Sequence, residues 1–413
     1  MASKPSVWAL VWPFGLAYAM SYALRTINAV LAPELVESLG LSAADLGLLA
    51  SAYFLSFAAM QIPLGVLLDR YGPRRVEASL LLAAIAGCAI SAQAESFWML
   101  WMGRALIGLG VSACLMASYK AYRMCFEERL QAPLASTMLV IGSVGALAAT
   151  VPVEWLLSMT DWRGVFGVLT ILFVVVWLCI AFGLPSLPVP DARGQTLWAD
   201  ALRGLRTIVS HPEFLRMLPF GVLTYGGFLA LHGLWLGPWF TVIEGQSPSQ
   251  AANSLFVMTA VIMVAHMGMA ALANHLNQRG VSLNQAMHWG LAAMAVFSGS
   301  AVLGLWPDPL MGWSLAFLAA GVTTVGYTRF ASAFDLSLSA RATTSFNFLI
   351  FIGAFGVQWG IGLLIDGFGG LGFSSADAMR LALGVWVILQ VVSLVWLIRE
   401  PRHRAGRAHD ASQ

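Results

Sequence analysis

Apolar stretches of about twenty residues, separated by short polar punctuation, recur along the whole chain, and each can cross a hydrocarbon core of about 30 Å as a helix. The first set lies near residues 7–33, 45–68, 76–94, 98–122, 133–157 and 163–184. A second set lies near 213–241, 250–276, 282–304, 308–333, 341–366 and 376–398. This pattern predicts an all-α membrane protein of about twelve transmembrane helices, arranged as two pseudo-symmetric six-helix halves. The first stretch begins near Val7, is too long for a signal-peptide core and lacks a cleavage site before the next polar residues, so it is expected to be the first span.

The two sets of spans predict boundaries. Residues 1–184 form the first half, 185–212 a linker, 213–398 the second half and 399–413 a basic tail. The linker opens with Pro185, Pro188 and Pro190, and then places Trp198, Leu202, Leu205 and Ile208 at helical spacing around Arg203 and Arg206. That is the pattern of an amphipathic helix lying on a membrane surface. A short repeat supports the division. Pro13-Phe14-Gly15 opens the first span and Pro219-Phe220-Gly221 opens the seventh, 206 residues later in a chain of 413. In transporters, parallel repeats of this kind hold a substrate between them near the bilayer midplane.

Composition excludes a soluble domain, since the chain is 59% hydrophobic and 10% charged with a mean hydropathy of +0.78. A net charge of +2, spread over short loops, gives no footprint for nucleic acid. The cations report topology instead. Sixteen of the Lys and Arg residues fall on one side of the predicted spans, and only Arg163 and Arg380 on the other. By the positive-inside rule both termini are expected in the cytoplasm of a bacterial inner-membrane protein. The four cysteines, Cys88, Cys114, Cys125 and Cys179, lie in or beside apolar segments without CxxC spacing and are expected to serve packing.

The loop after the second span reads GVLLDRYGPRR over residues 65–75, and it resembles the signature loop of the major facilitator superfamily. Gly65, Asp69, Arg70, Gly72, Arg74 and Arg75 match the pattern. The resemblance implies a gating loop: Gly65 for close helix packing, Asp69 to meet a helix N-terminus or an Arg, and the arginines to anchor the cytoplasmic face. A simple positive-inside loop is the plainer alternative. In the fourth span Arg104, Gly108 and Gly110 are similar to the family's RxxxGxG pattern, which leaves Arg104 either in a structural hydrogen-bond network or in substrate or proton coupling. The fifth-span run of the family's drug and proton antiporters, GxxxGPxxGG, is replaced here by GSVGALAATVP over residues 142–152, which argues against drug efflux. Residues 22–65 resemble most the anion:cation symporter and organophosphate:phosphate antiporter families, both of which carry an Arg near the middle of the first span. Leu24 and Val111 stand where many anion:cation symporters carry carboxylates.

Several residues suggest the cavity chemistry. Tyr18, Ser21, Tyr22, Arg25 and Asn28 share one face of the first span. An Arg toward lipid costs at least about 2.5 kcal/mol, so Arg25 is expected to face a cavity or a partner. Its planar fork suits carboxylate or phosphate, although Asn28 or backbone carbonyls are alternative partners. Tyr225, Phe228, His232, Trp235 and Trp239 repeat in the seventh span, where His232 is read as a substrate or proton-coupling residue or as a satisfied interhelical histidine. Lys120, Tyr327, Asn347 and Gln358 are further polar candidates. His266 with Met263, Met267 and Met269 admits a soft-metal site, but Met is also an ordinary packing residue. The acids Glu34, Glu154, Glu244 and Asp366 fall toward the outer ends of spans, leaving no mid-membrane carboxylate in view.

The expected function is therefore secondary transport of a small organic anion, a carboxylate or phosphate ester, with a proton or counter-anion as co-substrate. The lipid bilayer is the other expected partner, with no cofactor, no nucleic acid and a monomeric state. Proton-driven efflux of drugs or metabolites is the alternative, followed by a copper transporter or a nontransporting receptor. No phosphate-binding glycine loop, HExxH motif or nucleophile constellation suggests an enzyme.

Overall fold

A computed structural model describes residues 6–184 and 197–399. The first part of the linker and the basic tail lie outside the described residues, as does the side chain of Trp198 in the expected surface helix. A helix does run over Leu197–Val209.

Among the described residues eleven helices are long and apolar enough to cross a membrane. The ninth expected span is also a helix, Leu283–Val302, of 20 residues. At about 1.5 Å per residue it has the length to cross, but Asn284, Gln285 and His288 make its first turns polar. With it the bundle has twelve helices in two halves of six, and the described chain begins and ends on one face, called the terminal face below. The opposite one is the distal face.

Local chemistry sets the helix ends. Ser42 and Asp45 form a capping box at the start of the second span, Ala43–Tyr71, and Ser282 with Gln285 does the same for the ninth. Gly72 ends the second span at φ 78° and begins the third, Pro73–Ala92, a backbone conformation that a side chain resists.

Three spans expected to be continuous are broken. The first runs as Val7–Thr26 and Asn28–Leu39 about a turn at Ile27. The fourth divides after Gly110 and resumes at Cys114, and the fifth divides between Ala148 and Val151. The seventh span, Pro212–Ile243, contains π-helical turns at Phe220–Tyr225, Leu231–Trp235 and Trp239–Ile243. Pro219 and Pro238 immediately precede two of these turns, where their missing N–H groups interrupt the regular ladder.

The Pro-Phe-Gly repeat serves the same purpose twice. Phe14 and Phe220 are both fully buried, Phe14 against Tyr122 and Phe220 stacked on Phe346. The halves meet tightly near the distal face. A side-chain carbon at Gly237 would lie 1.8 Å from the Ala29 carbonyl oxygen, and one at Gly362 would lie 2.3 Å from that of Ala43. Glycine at these positions lets backbones of opposite halves touch.

Candidate functional site

Arg25 sits two residues before the break in the first span, and the structure builds a box around it. The guanidinium carbon lies 4.5 Å from the Tyr22 ring centroid, 5.0 Å from Phe351 and 5.5 Å from Phe57. Phe351 belongs to the eleventh span, so the second half supplies one wall. Arg25 is 7% exposed, its Nε has no hydrogen-bond partner, and no carboxylate pairs with it among the described residues. Cation–π contact with these rings and a hydrogen-bonding contact with Tyr53 leave its remaining N–H groups as the means of binding a ligand.

Arg25 also lines a small, partly open cavity with about 20 Å³ of room for water. The first span lines it with Tyr22, Arg25 and Thr26, and the fifth with Ser143 and Ala146. The seventh contributes Phe228, Leu229 and His232, and the eighth Thr259, Ile262 and His266. Both halves therefore contribute to one site. His232 Nε2 contacts Thr259 Oγ1 at 3.0 Å, and Phe228 stacks on its ring. His266 Nε2 has no partner. Met263 is not in the lining, and no group of three metal-ligating His, Cys, Asp or Glu side chains occurs among the described residues.

Counting along the Pro-Phe-Gly repeat puts His232 one residue past the equivalent of Arg25. The π-helical turn at Phe220–Tyr225 accounts for that residue, because an i→i+5 turn takes up about one residue more than an α-turn. Arg25 and His232 are then positional counterparts on two breached helices that face the same cavity.

The other candidates lie elsewhere. Arg104 donates from Nη2 to the Leu24 carbonyl at 3.0 Å, at the break beside Arg25, while its Nε and Nη1 are unpartnered. It braces the first span rather than lining the cavity. Gly108 and Gly110 let the fourth span press close, since added side-chain carbons there would lie 2.2 Å from the Tyr53 carbonyl oxygen and 2.3 Å from the Ala84 nitrogen. Lys120 meets Asp69 at 2.7 Å near the terminal face, within the first half. Asn347 accepts from the Tyr327 hydroxyl and donates to Gln61 Oε1 at 3.4 Å, a bridge between the second and eleventh spans. Tyr225 packs among Phe220, Phe228 and Tyr327. The Gln358 side chain is buried and unpartnered, and its carbonyl accepts from Trp235 Nε1 at 3.0 Å. Asn28 is buried just past the break, outside the cavity lining.

In the signature loop, Arg74 donates to the Ala181 carbonyl and Arg70 lies over Tyr71. Arg75 is exposed. The expectation of close packing at Gly65 is not met: a side-chain carbon there would find nothing within 4 Å. The neighbouring Asp69 is paired with Lys120 of its own half.

Two acids carry more than their sequence positions suggested. Glu77, the fifth residue of the third span, is wholly buried beside the Cys114 thiol and has no cationic partner among the described residues. In the sequence it stands second in the expected span 76–94, directly after Pro73, Arg74 and Arg75, where an acid reads as part of the polar edge. Asp366 accepts from the backbone N–H groups of Ala43 and Ala44, joining the halves at the distal face. A sequence signal for it exists. Gly362, Asp366, Phe368 and Gly369 repeat the spacing of Gly65, Asp69, Tyr71 and Gly72. Thr259 was also findable, since it precedes His266 by seven residues, two helical turns on one face.

Twelve helices in two halves around a cavity lined from both define a membrane transporter of the secondary type. The sequence profile of the Major Facilitator Superfamily matches residues 14–357, and the chain belongs to that family. It is 25% identical over 174 residues to a galacturonate transporter of Dickeya chrysanthemi, covering 41% of this chain and half the length of that relative. It is 23% identical over 402 residues to a probable sugar efflux transporter of Helicobacter pylori, covering 94% of each. Among solved structures, a bacterial homolog to the human lysosomal transporter Spinster, in an inward-facing and unoccupied conformation, superposes with a TM-score of 0.79 at 18% identity. That match covers 96% of this chain and 97% of that one.

Proposed function

We propose that this protein is a secondary active transporter of a small organic anion, a carboxylate or phosphate ester, moved by alternating access and coupled to a proton or a counter-anion. The observation that carries the reading is Arg25: a guanidinium buried in a shared cavity, with no carboxylate partner among the described residues. A buried cation without a counter-charge is costly, and an entering oxyanion removes that cost. The acid substrate named for the Dickeya chrysanthemi relative supports the same chemistry.

The excess of Lys and Arg on the terminal face supports a cytoplasmic placement of both termini in a bacterial inner membrane. The distal face, where the halves are locked together, is then the extracytoplasmic one. Residues 1–184 and 213–398 act as the two rocking bodies, with 185–212 as their tether.

A thermal-shift screen of the purified protein tests the reading, because a ligand bound only by the native state raises apparent stability. Small carboxylates such as galacturonate, and phosphate esters, are expected to stabilise the wild type and not Arg25→Ala. Stabilisation only by cationic amphiphiles, unchanged in Arg25→Ala, sinks the anion reading in favour of efflux.

A further inference from the structure

Thr259 determines which nitrogen of His232 is left for a substrate. The Thr259 hydroxyl donates to the Leu255 carbonyl at 2.7 Å, the back-bond that Thr makes within helices. A hydroxyl has one hydrogen, so toward His232 this oxygen is an acceptor. The 3.0 Å contact is therefore donated by His232 Nε2–H. In the neutral imidazole the other nitrogen, Nδ1, is then a lone-pair acceptor. No hydrogen bond to Nδ1 occurs among the described residues, and it is not among the buried unpartnered atoms.

The cavity thus presents two walls of opposite demand. Arg25 offers only donors and a positive charge, whereas His232 Nδ1 offers only a lone pair. A lone pair repels a second carboxylate and accepts a hydroxyl hydrogen. Phe228, Leu229 and Ile262 supply the apolar lining around these points, and Tyr22, Thr26, Ser143 and His266 its other polar groups, none of them a fixed cation like Arg25.

We infer that the substrate is a hydroxylated carboxylate: its carboxylate lies on the edge of Arg25, and one of its hydroxyls donates to His232 Nδ1. His232 selects the hydroxyl, and Thr259 is the positioning residue that holds the ring in the accepting tautomer. This assignment rests on the anion reading above and narrows it to acids that carry a hydroxyl at a distance from the carboxylate.

Matched pairs of acids test it. The dissociation constants of gluconate and hexanoate, and of lactate and propionate, are measured calorimetrically on the full chain in detergent, for wild type, Arg25→Ala, Thr259→Val, Thr259→Ser and His232→Phe. The longer hydroxylated acid is expected to bind the wild type about tenfold tighter than its deoxy partner, the worth of one hydrogen bond. Thr259→Val and His232→Phe are expected to collapse that ratio to within about threefold, and Thr259→Ser to keep it. Equal wild-type affinities for both members, with both lost in Arg25→Ala, overturn the hydroxyl assignment and leave the anion reading standing. A ratio unchanged in Thr259→Val overturns the positioning role. Binding of neither acid, or binding indifferent to Arg25→Ala, overturns the anion reading together with this one.

Discussion

Asp366 of the eleventh span accepts the backbone N–H groups of Ala43 and Ala44, at 3.0 and 2.8 Å, and so caps the second span from the other half of the molecule. Ser42 already serves the Asp45 N–H, so these two bonds complete the hydrogen bonding of the first turn. The carboxylate also meets the positive end of the helix dipole. An open distal face is expected to lose both bonds, so this contact is expected to act as a latch on one side of the transport cycle.

Asp366→Ala is expected to weaken the closed distal face by about 1–2 kcal/mol, the usual worth of an anionic cap. Spin labels placed across that face should report a larger open population, by roughly five- to thirtyfold, and Asp366→Asn should fall between. An unchanged distance distribution in Asp366→Ala removes the latch.

The membrane-spanning helices and the burial of Arg25 were legible in the sequence, because hydrophobic length and the cost of a membrane Arg are local properties. The aromatic box was not. Phe57 and Phe351 are ordinary apolar residues in sequence and acquire meaning only when the second and eleventh spans bring them to Arg25. The breaks at Ile27 and Gly110 were likewise hidden, since no adjacent proline or polar run marks them, and a carbonyl at the first is met from a distant span, as Arg104 meets Leu24; the break after Ala148 has a signal in Pro152. Asp366 was seen but judged by its depth alone, without the helix end it faces.

Arg104 should behave as a brace. Arg104→Met leaves the Leu24 carbonyl without its donor and is expected to lower stability in detergent by about 1–3 kcal/mol, with Arg104→Lys recovering part of it. Ligand affinity measured on the surviving folded fraction should change less than in Arg25→Ala. A larger loss of affinity than of stability would place Arg104 in the binding site.

Lys120 and Asp69 are partly exposed, at 31% and 54%, so their pair is worth only about 0–1 kcal/mol and should weaken with salt. Lys120→Ala is expected to leave ligand affinity within about twofold and to alter the transport rate, because the pair holds the signature loop to its own half. The exchange Asp69→Lys with Lys120→Asp should restore that rate. An affinity loss of tenfold or more in Lys120→Ala returns the residue to the substrate site.

Glu77 is buried beside the Cys114 thiol with no cationic partner among the described residues, so a neutral side chain of the same shape should be tolerated there. Glu77→Gln is expected to match or exceed the wild type in melting temperature. A marked loss would reveal a charged partner for Glu77 in another state of the cycle.

Arg25 is the centre of the account, and counterflow of a labelled hydroxylated carboxylate in proteoliposomes examines it most directly. Wild type should exchange internal for external substrate; Arg25→Lys should retain a small fraction of this, because it keeps the charge and loses the planar fork, and Arg25→Ala should retain none. Normal counterflow and affinity in folded Arg25→Ala would contradict the claim that this buried guanidinium binds the transported anion.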